Sequence, residues 1–252
     1  MTLSSTEFSA YRPLHVFDGA LGDLYDQLLD MTGLLLHQLE QLIHALDYAD
    51  VELALRVSAR DRKVDDCHTR IQHQIDILIS AAQASSNELR TVTMVGKIND
   101  TLESLGNKFA DIAKLTPFVL NDAPPNDTTL IADILPIASL LKAMLDKMMI
   151  VFETRNSNQA YKLMNHGWHC DTQLQQSFER PLAVAMQHAA SLDYSLIILQ
   201  ILKALESCAG LCRHIGEYQI LMLDSIDIRR ASPSALLSPH RPTPAHAPSL
   251  PC

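Results

Sequence analysis

Apolar residues recur along this chain in alternating steps of three and four positions. The first such stripe occupies residues 21 to 46, and the pattern resumes at Val57 and again at Leu89. Steps of three and four place side chains on one face of an α-helix. The pattern therefore predicts three helices in the first half, of which the second spans residues 51 to 85 and the third ends near Pro117.

Residues 121 to 128 read Asn-Asp-Ala-Pro-Pro-Asn-Asp-Thr, a composition that interrupts helices. Beyond this predicted linker the apolar steps return, and three further helices are expected to start near residue 129, Asn156 and Ser191. Pro181 falls inside the fifth helical pattern, where a proline removes a backbone hydrogen bond. We expect a kink or an end there.

The two halves also repeat in sequence. Residues 56–66 align with 162–172 at a shift of 106, and residues 102–112 align with 205–215 at a shift of 103, with Leu-Glu-Ser at the same place in both copies. The prediction is an all-α protein of two tandem antiparallel three-helix bundles with six long helices. The predicted segments are a flexible N-terminus 1–13, a first repeat 14–120, a linker 121–128, a second repeat 129–228 and a disordered Pro-rich tail 229–252.

Composition narrows the function classes. A net charge of −9 without Lys/Arg blocks lacks the basic footprint of nucleic-acid binding or of direct binding to anionic lipid. The first residues do not resemble a secretory signal, and charges interrupt every apolar stretch before the roughly 20 residues of a membrane span. Five cysteines without a CxxC pair favour free thiols. We expect a cytoplasmic protein that meets membranes only through partners.

The predicted third and sixth helices each carry a polar stripe on the side away from their apolar residues. The first stripe consists of Glu103, Asn107 and Asp111, and the second of Glu206, Gly210, His214 and Glu217. One interpretation is that these oxygen and nitrogen atoms bind divalent metal ions. The other is an ordinary solvated helix face, which spacing alone favours.

Other candidate sites are weaker on spacing. His166 and His169 with Cys170 have the form of a zinc half-site, although a solvated face with one core cysteine explains the same spacing. Asp65 with His68, or His37 with Glu40, would suit a di-metal centre, but the paired Glu-x-x-His motifs of such bundles are missing. The chain also lacks a phosphate-binding Gly-rich loop, a nucleophile elbow and a dinucleotide fingerprint. We therefore expect no enzymatic activity.

Residues 102–114, LESLGNKFADIAK, resemble the signature of the PhoU family, in which Glu-Arg-Ile-Gly-Asp opens the third helix of each repeat. The second copy is LESCAGLCRHIGE. The RDRKVDD stretch at residues 60–66 is similar to the family's Asp-Lys-x-Val-Asp element, so Asp61 and Asp65 match it, whereas Gly167 replaces Asp61 in the second repeat. The resemblance covers roughly residues 14 to 223 and implies tandem three-helix bundles.

The resemblance also implies a function. Members of the family are cytoplasmic adaptors that couple a phosphate transporter, through its ATPase or permease, to a sensor histidine kinase and act as negative regulators of the phosphate-starvation response. They are often homodimers, and a homodimer is expected here. Two alternatives stay open, namely a metal-binding helical protein and a divergent PhoU-like accessory protein of another transporter.

Family members bind metal clusters through the signature carboxylates, which implies divalent, iron or zinc ions here. The candidate ligands are Glu103, Asn107, Asp111, Glu206, His214 and Glu217. The signature Asp is replaced by Asn107 in the first copy and by Gly210 in the second, so the resemblance is least complete at the metal ligands.

Overall fold

The computed structural model describes residues 14–59, 61–81, 86–121, 129–187, 192–225 and 228. Their regular structure consists of seven α-helices and includes no strand, and the all-α prediction is confirmed. The helices are α1 (Leu14–Asp47), α2 (Val51–Ser58), α3 (Asp61–Ala81), α4 (Ser86–Asn121), α5 (Thr129–Thr154), α6 (Ser157–Gln187) and α7 (Leu192–Asp224). The predicted N-terminal segment, nearly all of the linker and the predicted tail lie outside the described residues.

The predicted second helix is divided in two, so the expectation of one continuous helix was wrong. Helix α2 ends at Ser58, and the backbone N–H of Ala59 returns to the carbonyl of Leu55. Val57 and Val64 are both fully buried, and the sequence between them offers only the polar pair Arg60-Asp61 at the next step of the apolar pattern. A helical turn without an apolar residue for the core gains little from packing, which explains why the break falls there.

Neither Pro117 nor Pro181 ends its helix, so the predicted stop at Pro117 was also wrong. Helix α4 continues to Asn121, and α6 continues through Pro181 to Gln187. Beyond Pro117 the fully buried Val119 keeps the helix packed on the core. The loss of one backbone hydrogen bond is a local cost that burial of the following turn offsets.

Each half forms a bundle, with α1 to α4 in the first and α5 to α7 in the second. The bundles meet through equivalent helices, because α4 packs on α7 and α1 packs on α5. Helices α4 and α7 run antiparallel: Arg90 Nη2 donates to Ser225 Oγ at 2.6 Å, and the Lys97 ammonium lies 5.6 Å from the centre of the Tyr218 ring.

The two halves are related by an approximate twofold axis. The antiparallel register of α4 and α7 places buried Gly106 opposite buried Ala209, and the same two residues are equivalent under the repeat shift of 103. Helices α1 and α5 also run antiparallel, as shown by the 2.9 Å ion pair between Lys142 Nζ and Glu40 Oε1 and by the stacking of Arg155 on Tyr25. Equivalent surfaces that pack antiparallel form an isologous interface within a single chain.

One apolar core runs through both bundles. It is built from the predicted stripes, and Leu28, Leu102 and Ile201 are among its fully buried residues. Among the described helices, α7 alone is long and apolar enough to cross a membrane by length and composition. It packs against α4, α5 and α6, and a core helix of a bundle has the same composition.

The approach of α6 to α7 depends on Gly167. A Cβ placed at this residue would lie 2.5 Å from Cγ and 2.8 Å from Cδ of Arg213. The Arg213 side chain crosses Gly167 to reach Asp171, whose carboxylate it meets at 2.6 Å. The glycine in the second repeat therefore makes room for an arginine stem between two helices.

We predict that Gly167→Ala lowers the free energy of unfolding by about 1–3 kcal/mol, because the arginine stem has to move. Gly22→Ala in α1 is the matched control, since nothing lies within 4 Å of a Cβ there, and should raise it by up to about 1 kcal/mol through helix propensity. Urea unfolding followed by circular dichroism measures both. Equal stabilisation by the two substitutions would contradict the close approach of α6 and α7.

Candidate functional site

The two polar stripes lie on the solvent side of α4 and α7, as their spacing predicts. In the first stripe Asn107 and Asp111 are exposed and Glu103 is half-buried. The neighbouring Leu105 and Phe109 on the same helix are fully buried. The stripe and the core therefore occupy opposite sides of α4.

The second stripe follows the same division on α7. His214 is exposed, and Glu206 and Glu217 are half-buried. Gly210 is also partly exposed, and a Cβ there would meet only Arg213 Nη2, at 3.7 Å. Because α4 and α7 pack antiparallel, the two stripes run in opposite directions along the two helices.

Three carboxylates of the stripes bond a donor on their own helix. Asn107 Nδ2 donates to Glu103 Oε1 at 2.6 Å, and Lys114 Nζ lies 3.1 Å from Asp111 Oδ1. On α7 the ammonium of Lys203 contacts the carboxylate of Glu206. The two residues of each pair are three or four positions apart on one helix, a spacing at which side chains are neighbours. The sequence alone could therefore have indicated all three pairs, including the one made by Lys203.

The stripes do not fit a metal cluster. Within the described part of the chain, no three His, Cys, Asp or Glu side chains come together in a group that could hold a metal ion. Lys114 and Lys203 place positive charge beside two of the candidate carboxylates, where a cation would be repelled. The metal ligands expected from the resemblance stay a prediction that this geometry does not favour.

We predict no stoichiometric iron, zinc or other divalent ion in protein purified without chelator, because lysines occupy two of the candidate carboxylates and no three candidate ligands come together among the described residues. Inductively coupled plasma mass spectrometry on the native protein, before and after incubation with Fe²⁺ or Zn²⁺ and desalting, measures this. A reproducible whole number of ions per chain, lost in Glu103→Gln, would show that the stripes bind metal.

The weaker candidates are dispersed or engaged elsewhere. Cys170 is fully buried while His169 is exposed, so the two do not face a common point. His166 Nδ1 lies 3.0 Å from the carbonyl oxygen of Lys162 on the preceding turn. A zinc half-site is therefore not assembled at residues 166–170.

In the other two candidate pairs, Asp65 with His68 and His37 with Glu40, one residue of each pair contacts a neighbouring helix. His68 Nε2 lies 3.1 Å from Asp100 Oδ1 across α3 and α4, and the carbonyl of His68 accepts from the buried amide of Asn99 at 3.0 Å. Glu40 instead pairs with Lys142 of α5. These contacts fix helices against one another rather than forming a di-metal centre.

A cluster of three buried thiols was missed by sequence reasoning. Cys208 and Cys212 share one face of α7, and the tertiary register brings Cys170 of α6 close to both. Burial raises the pKa of Cys170 to about 11 and that of Cys212 to about 12, and it raises the pKa of Cys208 as well. Spacing shows that two of the cysteines share a helix face, but the third requires knowledge of how α6 docks. These thiols are protonated, and hence unreactive, at neutral pH.

Comparison with known proteins places this scaffold in a family. The PhoU domain model matches residues 28–116 and 134–219, one match in each bundle. The Phosphate-specific transport system accessory protein PhoU homolog of Clostridium acetobutylicum is 23% identical over 82% of this chain and 94% of its own length. The Escherichia coli Phosphate-specific transport system accessory protein PhoU is 21% identical over 84% of this chain and 87% of its own.

Solved structures agree on the fold. PhoU from Pseudomonas aeruginosa superimposes with a TM-score of 0.77 at 20% identity, covering 83% of this chain and 100% of that one. The phosphate transport system regulatory protein PhoU from Streptococcus pneumoniae gives a TM-score of 0.74 at 20% identity, with coverage of 84% and 98%. The predicted tandem bundle architecture is confirmed.

Proposed function

This chain belongs to the PhoU family, and we propose that it is a regulatory accessory protein of a phosphate transport system. In this role it is a non-enzymatic cytoplasmic adaptor. It contacts the ATPase or permease of a phosphate ABC transporter and a sensor histidine kinase, and it represses the phosphate-starvation response while phosphate is plentiful. The observation that carries the proposal is the match of the PhoU domain model to both bundles.

The geometry supports an adaptor in two respects. The bundles share one continuous core, so the chain presents long helix faces at fixed relative positions. The side chains of the polar stripes lie at exposed or half-buried positions, where they are available to a macromolecular partner rather than to a substrate enclosed in a pocket. Adaptors of this kind bind through such faces.

The proposed partners can be tested by co-purification. The tagged full-length chain is co-expressed with the ATPase of the phosphate transporter and, separately, with the cytoplasmic part of the sensor kinase from the same organism. We expect retention of both, and no retention of the ATPase from an unrelated ABC transporter, which is the matched control. Retention of the control ATPase alone would favour an accessory protein of another transporter, and retention of neither partner would contradict the adaptor role.

We also propose that the chain is a homodimer. Light scattering coupled to size-exclusion chromatography should then give twice the 28.0 kDa mass of the chain at micromolar concentration. A mass of one chain throughout the accessible concentration range would refute this part of the proposal.

A further inference from the structure

An open groove of about 450 Å³ runs between the antiparallel helices α4 and α7, beside the polar stripes. Lys108 and Lys114 enter it from α4, and Lys203 enters it from α7. Among the described residues that line this lysine groove, Asp111 is the one carboxylate. The groove is therefore a positive segment on a chain whose net charge is −9.

The three lysines are close together along the helices. Lys108 and Lys114 are six residues apart, which is about 9 Å of helix at 1.5 Å per residue. The antiparallel register places Lys203 opposite the stretch between them. Three ammonium groups gathered within two helical turns repel one another, and a bound anion would relieve that repulsion.

The charges of the groove are only partly neutralised by the chain. Lys114 pairs with Asp111 and Lys203 with Glu206, both on the exposed surface at a spacing of three residues, and such pairs are weak enough for a ligand to compete with. Lys108 is half-buried and has no ion pair within 4 Å in the described part of the chain. Of the three ammonium groups, that of Lys108 would gain most from pairing with a bound anion.

The surroundings of the groove favour a compact ligand over an extended one. Glu103 lies beyond one end of the lysine segment on α4, and Asp193 lies beyond the other end on α7. An acidic peptide following the seam between the helices would meet these carboxylates, whereas a short anion would not. Leu115 and Ala204 are apolar parts of the lining, where water screens charge less than in bulk solvent.

We propose that the lysine groove binds a compact polyanion of the phosphate class, one that carries two or more linked phosphate groups. Lysine ammonium groups bind phosphate as point charges, and a linked chain of phosphates places several charges within the length that the three lysines span. The side-chain amide of Gln200 in the lining adds a neutral hydrogen-bond donor. The groove is independent of the partners proposed above, because it rests on its own lining residues.

Isothermal titration calorimetry of the full-length chain with tripolyphosphate tests this inference. We expect saturable binding at one site, at least about tenfold tighter than that of orthophosphate, and an affinity that falls as salt is raised. ATP without magnesium forms a second arm: tighter binding than tripolyphosphate assigns the site to a nucleotide, and equal or weaker binding assigns it to a free polyphosphate chain. No binding of tripolyphosphate up to about 1 mM would overturn the proposal.

Variants locate the binding. The double substitution Lys108→Gln/Lys203→Gln should weaken tripolyphosphate binding at least about tenfold, and Lys63→Gln, on an exposed position of α3, should change it less than about twofold. Lys108→Arg/Lys203→Arg keeps both charges and should bind as the parent does, which separates loss of charge from misfolding. Equal affinity in the glutamine double variant and the parent would show that the anion binds elsewhere and would overturn the assignment.

Discussion

Replacing Phe109 by alanine is expected to lower the free energy of unfolding by about 3–5 kcal/mol. Phe109 is one of the largest fully buried side chains and belongs to the core shared by both bundles. Its removal leaves a cavity that rigid neighbouring helices can fill only in part. Urea unfolding followed by circular dichroism gives the value, and Phe109→Leu, which keeps most of the apolar volume, should cost about 1.5 kcal/mol or less.

The matched control on the same helix is Glu103→Ala. Glu103 lies on the polar stripe, so its replacement should change the free energy of unfolding by no more than about 0.5 kcal/mol. Signalling should fall in this variant if the stripe is a functional surface. A loss as large as that of Phe109→Ala would show that the stripe is buried and that the assigned facing of α4 is wrong.

Raising the pH from 8 to 10 is expected to lower the free energy of unfolding by about 3 kcal/mol through Cys170 and Cys212, because each of these buried thiols contributes about 1.4 kcal/mol over the pH unit above the ordinary thiol pKa. Burial of Cys208 acts in the same direction. Below the ordinary thiol pKa of 9.0 both folded and unfolded chains keep these protons. Above it the unfolded chain releases them, while Cys170 and Cys212 hold theirs until about pH 11 and 12, and Cys208 retains its proton too. Stability is therefore lost as the pH rises through this window.

A triple variant isolates the thiol contribution. Cys170→Ala/Cys208→Ala/Cys212→Ala removes the three titrating groups, so its stability should depend on pH much less steeply between 8 and 10 than that of the parent. The slopes are compared rather than the absolute stabilities, because the cavities left by three sulfurs cost the same at every pH. Identical slopes would mean that the thiols ionise in the folded protein as they do in the unfolded chain.

The fold could be predicted from sequence wherever periodicity and burial agree. The stripe that includes Leu28, Met31 and Leu35 predicted α1, and all three are fully buried. The start of α6 at Ser157 and that of α7 at Leu192 each fall within one residue of the predicted position. These features depend on local spacing, which the sequence states directly.

The features that sequence reasoning missed depend on tertiary packing. The stop at Pro117 was predicted from a local cost, but burial of Val119 decided the outcome. Helix α2 ends at Ser58 and α3 begins at Asp61. In the sequence, Arg60 and Asp61 interrupt the apolar steps at this point, but a gap of one step did not prevent the periodic pattern from predicting a continuous helix. Local propensity is a weak guide wherever packing of the following turn opposes it.

The candidate site was predicted in part. The stripes and their exposure follow from helical spacing, because Glu103 and Asp111 fall on the opposite side from Leu105. The thiol cluster and the lysine groove could not be predicted, since each combines residues from two helices whose register is fixed only by docking. The pairing of α4 with α7 is the contact that creates the groove.

Divergence between the repeats has a structural counterpart. In the second repeat Gly167 stands where the first has Asp61, and the space is taken by the stem of Arg213, which pairs with Asp171. An element that matches the family in the first repeat has become a packing contact in the second. Two tandem repeats that share one core can therefore keep the same fold while their surface residues diverge.

The role in phosphate regulation is tested most directly by the phosphate-starvation response of cells that lack this chain. Transcripts of the high-affinity phosphate transporter are measured in phosphate-rich medium in the parent, in the deletion strain and in the deletion strain carrying the gene. A regulator that represses the response predicts high transcript levels in the deletion strain and parental levels after complementation. Transcript levels in the deletion strain that stay as low as those of the parent in phosphate-rich medium would contradict it.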